Sequence, residues 1–402
     1  MRQFVETLRE RFVARLLFSQ VLARFPAGML SIALLIHVEQ TFGEYTAAGF
    51  TLAAFGIGQG IAGPLGGRLL SRFGMRNVLT PTMLVCAATL TAIALTSPSL
   101  PWLLALAFLG GLTVPPIPPA VRTVYPKLVA GRRLQALFSM DATLQEIIWI
   151  IGPLATTTIA ALWSPRGSIL ASAALLIIGG VWFITSPPIG TVRIPRSPRR
   201  MGMVLREPVV LIMVVSSFLA IGSWGALDAA AVARFGHESP LVGVVLGLGA
   251  VGSVVGGVIS GSLPMRRTSL ATRIAVAVIG TVLALVLIDD AALLWIGYFI
   301  AGAACAPFFA LTNAAVAATV RFSDTAEAYG WLGTAMLIGA AASSAIAGVA
   351  IDADGARGGM LVAVAFVVAA LLVAVSVIRW LPDLRDHDLQ PRPETMPIVI
   401  PD

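Results

Sequence analysis

Twelve long apolar runs, parted by short polar turns, restrict this chain to very few folds. A helix needs about 20 apolar residues to cross a lipid bilayer, where its backbone groups find no water and must bond within the helix. The runs cover 14–37, 46–69, 77–97, 101–122, 134–162, 168–187, 208–233, 241–263, 272–288, 292–319, 328–350 and 358–381. Only 12% of the 402 residues are charged. A soluble domain carries about 25%, so this chain lacks the charge to cover a water-facing body of its size. The expected fold class is an all-α polytopic membrane protein with twelve transmembrane helices, its main partner the lipid bilayer.

Basic residues set the expected orientation, because loops that stay in the cytoplasm are enriched in them. With the N-terminus inside, 23 of the 27 basic residues and ten acids fall on the inner side. Arg166, Arg234 and Arg357 fall outside with seven acids. The net charge of +7 therefore follows the membrane and does not point to nucleic acid. Both termini are expected in the cytoplasm. With 26 Arg to one Lys, the composition suggests a high-GC bacterial genome and hence the inner membrane.

The longest connection, 188–207, is basic and divides the chain into six helices plus six. The expected parts are an amphipathic segment 1–13, a six-helix bundle 14–187, the linker 188–207, a second bundle 208–381 and a disordered proline-rich tail 382–402. An internal repeat supports two pseudo-symmetric halves. Gly110 and Pro115 recur as Gly302 and Pro307, Gly56 and Gly58 as Gly247 and Gly249, and Arg166-Gly167 as Arg357-Gly358, at offsets of 191 or 192.

Several chemistries are excluded. Lys127, the single lysine, follows Pro126, so no Gly-Lys-Ser/Thr phosphate loop is present. His37, His237 and His387 are far apart and form no zinc pair, and Cys86 and Cys305 lie within apolar runs. The scattered acids and histidines offer no convergent catalytic set, so neither an enzyme nor a resident cofactor is expected.

The turn after the second helix reads Gly67-Arg68-Leu69-Leu70-Ser71-Arg72-Phe73-Gly74-Met75-Arg76. With twelve helices in two related halves, it resembles the major facilitator superfamily of secondary transporters. Gly67, Arg72, Gly74 and Arg76 match that family's turn signature, whereas Ser71 stands where the family has an acid. Helix five carries Gly152-Pro153, similar to the signature of the superfamily's drug and proton antiporters. Helix four lacks the arginine of those antiporters at Leu106, Ala107 and Phe108, and carries Pro115-Pro116 and Pro118-Pro119 instead. Those prolines break or bend the helix, either as a gate or as an early stop. The resemblance implies rocking of the two bundles around a central site, usually in a monomer.

Charges inside the spans mark the candidate site, since each is costly at mid-bilayer unless paired or hydrated. Arg24 and Glu146 fall roughly 15 and 18 Å into helices one and five, which suggests a pair. Asp141 shares a face with Gln145 and lies shallower, and Asp228 stands near the outer end of helix seven across from His37. Trp149, Trp224, Phe308, Asn313 and Trp331 are expected to line a cavity for an amphipathic organic substrate. The leading expectation is proton-driven efflux of small amphipathic or hydrophobic compounds, with the proton as coupling ion. An uptake symporter or facilitator for a small metabolite, and more remotely a non-transporting membrane protein, stay open.

Overall fold

The computed structural model describes residues 2–43, 45–96, 99–192, 194, 200–236, 240–260, 263, 265–381 and 383. Among them are twelve membrane-length helices and no strand. They are α1 (Val13–Phe42), α2 (Tyr45–Phe73), α3 (Met75–Leu95), α4 (Leu100–Leu128), α5 (Gly131–Leu162) and α6 (Pro165–Ile184) in the first half. The second half contains α7 (Pro208–Phe235), α8 (Pro240–Ser260), α9 (Ser269–Val286), α10 (Leu294–Thr319), α11 (325–353) and α12 (356–376). The last two helices meet at a kink where Gly355 has φ +60°. Short helices precede α1 (Arg2–Arg9) and follow α6 (Pro187–Thr191). The basic positions 193 and 195–199 of the linker lie outside the described residues, as does the tail 382–402 except Asp383.

Several helices outlast the apolar runs that announced them. α1 continues past His37 to Phe42, and α4 runs six residues beyond 122. A backbone that leaves the hydrocarbon core has no reason to unwind at once, so the polarity boundary and the helix end differ. The second case matters, because it brings Arg122 and Tyr125 into a transmembrane helix.

Prolines divide three spans. Pro26 cannot donate the N–H that would bond Leu22, and α1 breaks at Phe25 directly after Arg24. α4 breaks at 113–116 between Leu100–Leu112 and Ile117–Leu128. Pro118 and Pro119 then occupy the first turn of the lower segment, where a missing N–H costs little. The early-stop alternative is thus replaced by an interrupted helix that resumes for twelve residues. α10 breaks at Ala304 just before Pro307, the counterpart of Pro115.

Helix association in lipid depends on close packing of small residues. The glycines of the repeat supply it in matching places. A Cβ on Gly58 would collide with the Phe108 carbonyl of α4, and one on Gly302 with the Gly249 carbonyl of α8. Gly152 packs against Gly28, which holds α5 to α1, with Thr156 Oγ1 donating to Met29 O at 3.3 Å.

The two bundles close on each other at the end where the described chain starts and finishes. There α2 meets α11: a Cβ on Gly67 would collide with the Ala326 carbonyl, and one on Gly63 would lie 2.7 Å from Thr334 Oγ1. Thr334 Oγ1 also donates to Gly60 O at 2.9 Å. On the other flank, Gly257 of α8 presses against Thr143 of α5. Farther along α2, a Cβ on Gly56 would meet nothing within 4 Å. The seam is closed at the terminal end.

Candidate functional site

A buried charge cluster sits just below the two helix breaks. Gln20 and Arg24 are four residues apart on α1 and share a face, and Arg24 Nη1 donates to Gln20 Oε1 at 2.7 Å. Arg122 and Tyr125 share a face of lower α4 in the same way. Between them stands Asp141 of α5, fully buried. Its Oδ1 accepts from Arg24 Nη1 at 3.1 Å, Gln20 Nε2 at 2.9 Å and Tyr125 Oη at 3.3 Å. Its Oδ2 accepts from Arg122 Nε at 2.9 Å. Two guanidiniums thus share one carboxylate in the interior of the first bundle.

This arrangement corrects the expected Arg24–Glu146 pair. α5 starts at Gly131 rather than 134, which places Asp141 ten residues in, level with Arg24 eleven residues into α1. Glu146 lies five residues farther and about 140° around the helix, so it faces another neighbour. It also corrects two readings of Arg122 and Asp141. Arg122, the last residue of the fourth apolar run, is a part-buried partner inside α4. Asp141 bonds Arg24 and Arg122, and it lies level with Arg24 rather than shallower.

Glu146 crosses the seam. Its carboxyl, 7% exposed, lies beside Ser253 of α8 and Cys305 of α10, both in the opposite bundle. Ser253 Oγ in turn accepts from Ala306 N at 3.0 Å, at the start of the lower segment of α10. Among the described residues no cation pairs with Glu146, so it is a buried carboxyl beside neutral groups.

The remaining expected residues divide between open and packed settings. Asp228 is exposed, and Trp149 is 50% exposed on the same flank of α5 as Glu146. Trp224 packs over Gly249, and Gln145 is half-buried. Phe308 is buried against Phe309 in the helix core, so it lines no open space. Asn313 is buried with both amide atoms unpartnered, and Trp331 Nε1 is likewise unpartnered. His37 is buried with its Nε2 3.1 Å from Ile93 O, so it is neither water-facing nor turned toward Asp228.

The signature turn acts through a residue the motif leaves free. Gly67 provides the close approach to α11, and Gly74 turns the chain into α3 with φ +85°. Arg72 stacks on Phe73, and Arg76 Nε donates to Ile184 O at 3.1 Å. The link between bundles is made by Arg68, whose Nη1 lies 3.0 Å from Glu327 Oε2 at the start of α11. Glu327 Oε1 accepts from Gly202 N at 2.7 Å, which ties the connection between the bundles to the same acid. Pro116 packs on Gly66, so the break in α4 leans on α2, and Pro153 lies within α5 about two turns past Glu146.

Gln20, Tyr125, Arg68, Glu327, Ser253 and Cys305 were not singled out from the sequence. The i, i+4 pair Gln20–Arg24 and the i, i+3 pair Arg122–Tyr125 were available signals. They were hidden by treating position 122 as a helix end and Arg68 as an ordinary inner-loop charge.

Residues 16–289 match the family described as Major Facilitator Superfamily. The chain is 25% identical over 266 residues to an uncharacterized MFS-type transporter, y4rN, of Sinorhizobium fredii (strain NBRC 101917 / NGR234), covering 62% of this chain and 65% of that relative. The chain thus spans just under two thirds of that relative's length. Among solved structures it is similar to the proton:xylose symporter XylE bound to 6-bromo-6-deoxy-D-glucose, with a TM-score of 0.71, 13% identity and coverage of 94% of this chain and 98% of the other. It is also similar to the human organic anion transporter MFSD10 (TETRAN), with a TM-score of 0.67, 14% identity and coverage of 90% and 99%. A bacterial homologue of the iron transporter ferroportin in its outward-facing state gives 0.68, 14%, 91% and 99%. These likenesses concern the fold, and together with the family match they identify a multi-pass membrane protein built as two six-helix bundles. The chain belongs to the major facilitator superfamily of transporters.

Proposed function

We propose that this protein is a proton-coupled exporter of small amphipathic or hydrophobic organic compounds in a bacterial inner membrane. Both termini are cytoplasmic in this reading, since 23 of the 27 basic residues fall on that side. The sealed end of the seam is then the cytoplasmic one. The moving parts are the bundles 14–187 and 208–381, joined by 188–207, working as a monomer by alternating access.

One observation carries the coupling assignment. Glu146 is a carboxyl without a cationic partner among the described residues, and it is buried where the two bundles meet, beside Ser253 and Cys305. A neutral acid donates and accepts across such a seam, whereas an unpaired carboxylate there is costly and draws water in. Proton binding therefore favours the closed seam, and proton release favours its opening. Glu146 thereby links protonation to which side is open.

The test is accumulation of a panel of lipophilic fluorescent compounds in pump-deficient bacterial cells. Wild type, Glu146→Gln and empty vector are compared with and without a protonophore. Wild type is expected to lower accumulation of at least one compound, and both the substitution and the protonophore to abolish that effect. Increased accumulation over vector would instead identify an uptake carrier. Export that survives Glu146→Gln at full rate would remove Glu146 from the coupling step.

A further inference from the structure

The Arg24–Asp141–Arg122 cluster is out of charge balance. Asp141 is saturated, with four donors on its two oxygens. The other groups facing the cluster bring no second acid: Gln20 comes from α1 and Tyr125 from α4. Tyr329 of α11 is buried, and its hydroxyl is committed to Asn313 O at 3.0 Å. One positive charge is left over in the middle of a membrane protein, where such a charge marks a substrate path or an unfilled pairing.

Arg122 is the more exposed of the two guanidiniums. It donates only its Nε to Asp141, and its side chain is 11% exposed. Neither Nη has a protein partner among the described residues, and neither is sealed from solvent. Those two nitrogens form a fork that matches a carboxylate in a bidentate manner. Tyr125, on the same face of α4, is buried, as are Tyr329 and the unpartnered amide of Asn313 on the helix that receives the Tyr329 hydroxyl. A monoanion brings the cluster to neutrality, whereas a dianion would reverse its sign.

We propose that the free edge of Arg122 docks the carboxylate end of an amphipathic organic monoanion. This rests on the transporter reading above and names the substrate class of the same pathway.

The experiment uses the purified full-length chain in lipid nanodiscs. Benzoate, decanoate and indole-3-acetate are each titrated against the corresponding neutral amide, read by tryptophan fluorescence and thermal shift. At least one acid is expected to bind wild type about tenfold or more tightly than its amide, the range of one charge-assisted hydrogen-bonded contact. Arg122→Gln is expected to lower the affinity for that acid about tenfold while leaving amide binding unchanged. Arg122→Lys keeps the charge but loses the fork and should fall between, and it replaces Arg122→Gln if that variant is not monodisperse. The proposal fails if no acid exceeds its amide, or if substitution at Arg122 leaves acid binding unchanged or weakens acid and amide alike. Binding is read without transport, so failure of the export assay would leave this result standing, and loss of acid preference would leave the coupling role of Glu146 standing.

Discussion

Asp141→Asn is the most informative perturbation of the first bundle. The substitution preserves shape but removes the one anion that serves Arg24 and Arg122, raising the cluster's net charge from one to two. It also places an amide N–H where Asp141 Oδ1 or Oδ2 now accepts from donors at 2.9 to 3.3 Å. Breaking a buried ion pair by removing one partner costs about 3–5 kcal/mol. With roughly 2.1 cal/mol/K of unfolding entropy per residue, a chain of this length loses about 4–6 °C of melting temperature for that cost. The assay is thermal unfolding of detergent-purified protein, followed by the surviving monodisperse fraction on size exclusion. The double variant Arg122→Gln/Asp141→Asn returns the net charge to one and lets the two amides bond each other. It should melt above Asp141→Asn, with a coupling of at least about 1 kcal/mol. Melting of Asp141→Asn within about 1 °C of wild type, or additive losses in the double variant, would refute this account of the cluster.

Two further outcomes concern the sealed end of the seam. Reversing Arg68 or Glu327 singly should raise the reactivity of a cysteine placed at Ala326 toward a membrane-impermeant maleimide, and exchanging the two charges should lower it again. Recovery should be partial, because an arginine at 327 cannot accept the Gly202 N–H; equal labelling in all variants would remove the pair from the seal. Gly67→Val should give the same rise in labelling without changing any charge, since its Cβ would collide with the Ala326 carbonyl. Labelling at the wild-type rate would show that α2 and α11 do not close there.

The fold was legible because lipid leaves so few solutions. Apolar run length fixed the number of spans, and the repeated Gly58/Gly249 and Gly110/Gly302 positions anticipated equivalent helix contacts in the two halves. The site was less legible, because depth and azimuth decide which charges meet, and both depend on where a helix starts. Ending the fourth helix at 122 removed Arg122 from consideration, and starting the fifth at 134 made Asp141 look shallow. Three residues of error, about 4.5 Å of rise, were enough to give Arg24 the wrong carboxylate. Contacts between bundles were hidden for another reason: Glu146 to Ser253 and Arg68 to Glu327 join residues more than a hundred positions apart, and no local pattern encodes them.

α5 connects the two parts of the proposed mechanism. Asp141 faces α1 and α4 within its own bundle, and Glu146 faces α8 and α10 across the seam. They are separated by about 7.5 Å of rise and about 140° of rotation on one helix. The proline within that helix, Pro153, lies beyond both of them. The partners of Asp141, by contrast, stand beside interruptions: Arg24 precedes the break at Phe25, and Arg122 follows the break at 113–116. The segment carrying the two acids is therefore continuous, while the segments carrying the two arginines lie beside interruptions of the helix ladder. A displacement that alters how Asp141 meets its guanidiniums either moves those segments or moves α5, and in the second case it carries Glu146 with it. Packed interfaces of this kind change between discrete arrangements rather than deform smoothly. Occupancy at Arg122 and protonation at Glu146 thus bear on opposite faces of a single rigid element.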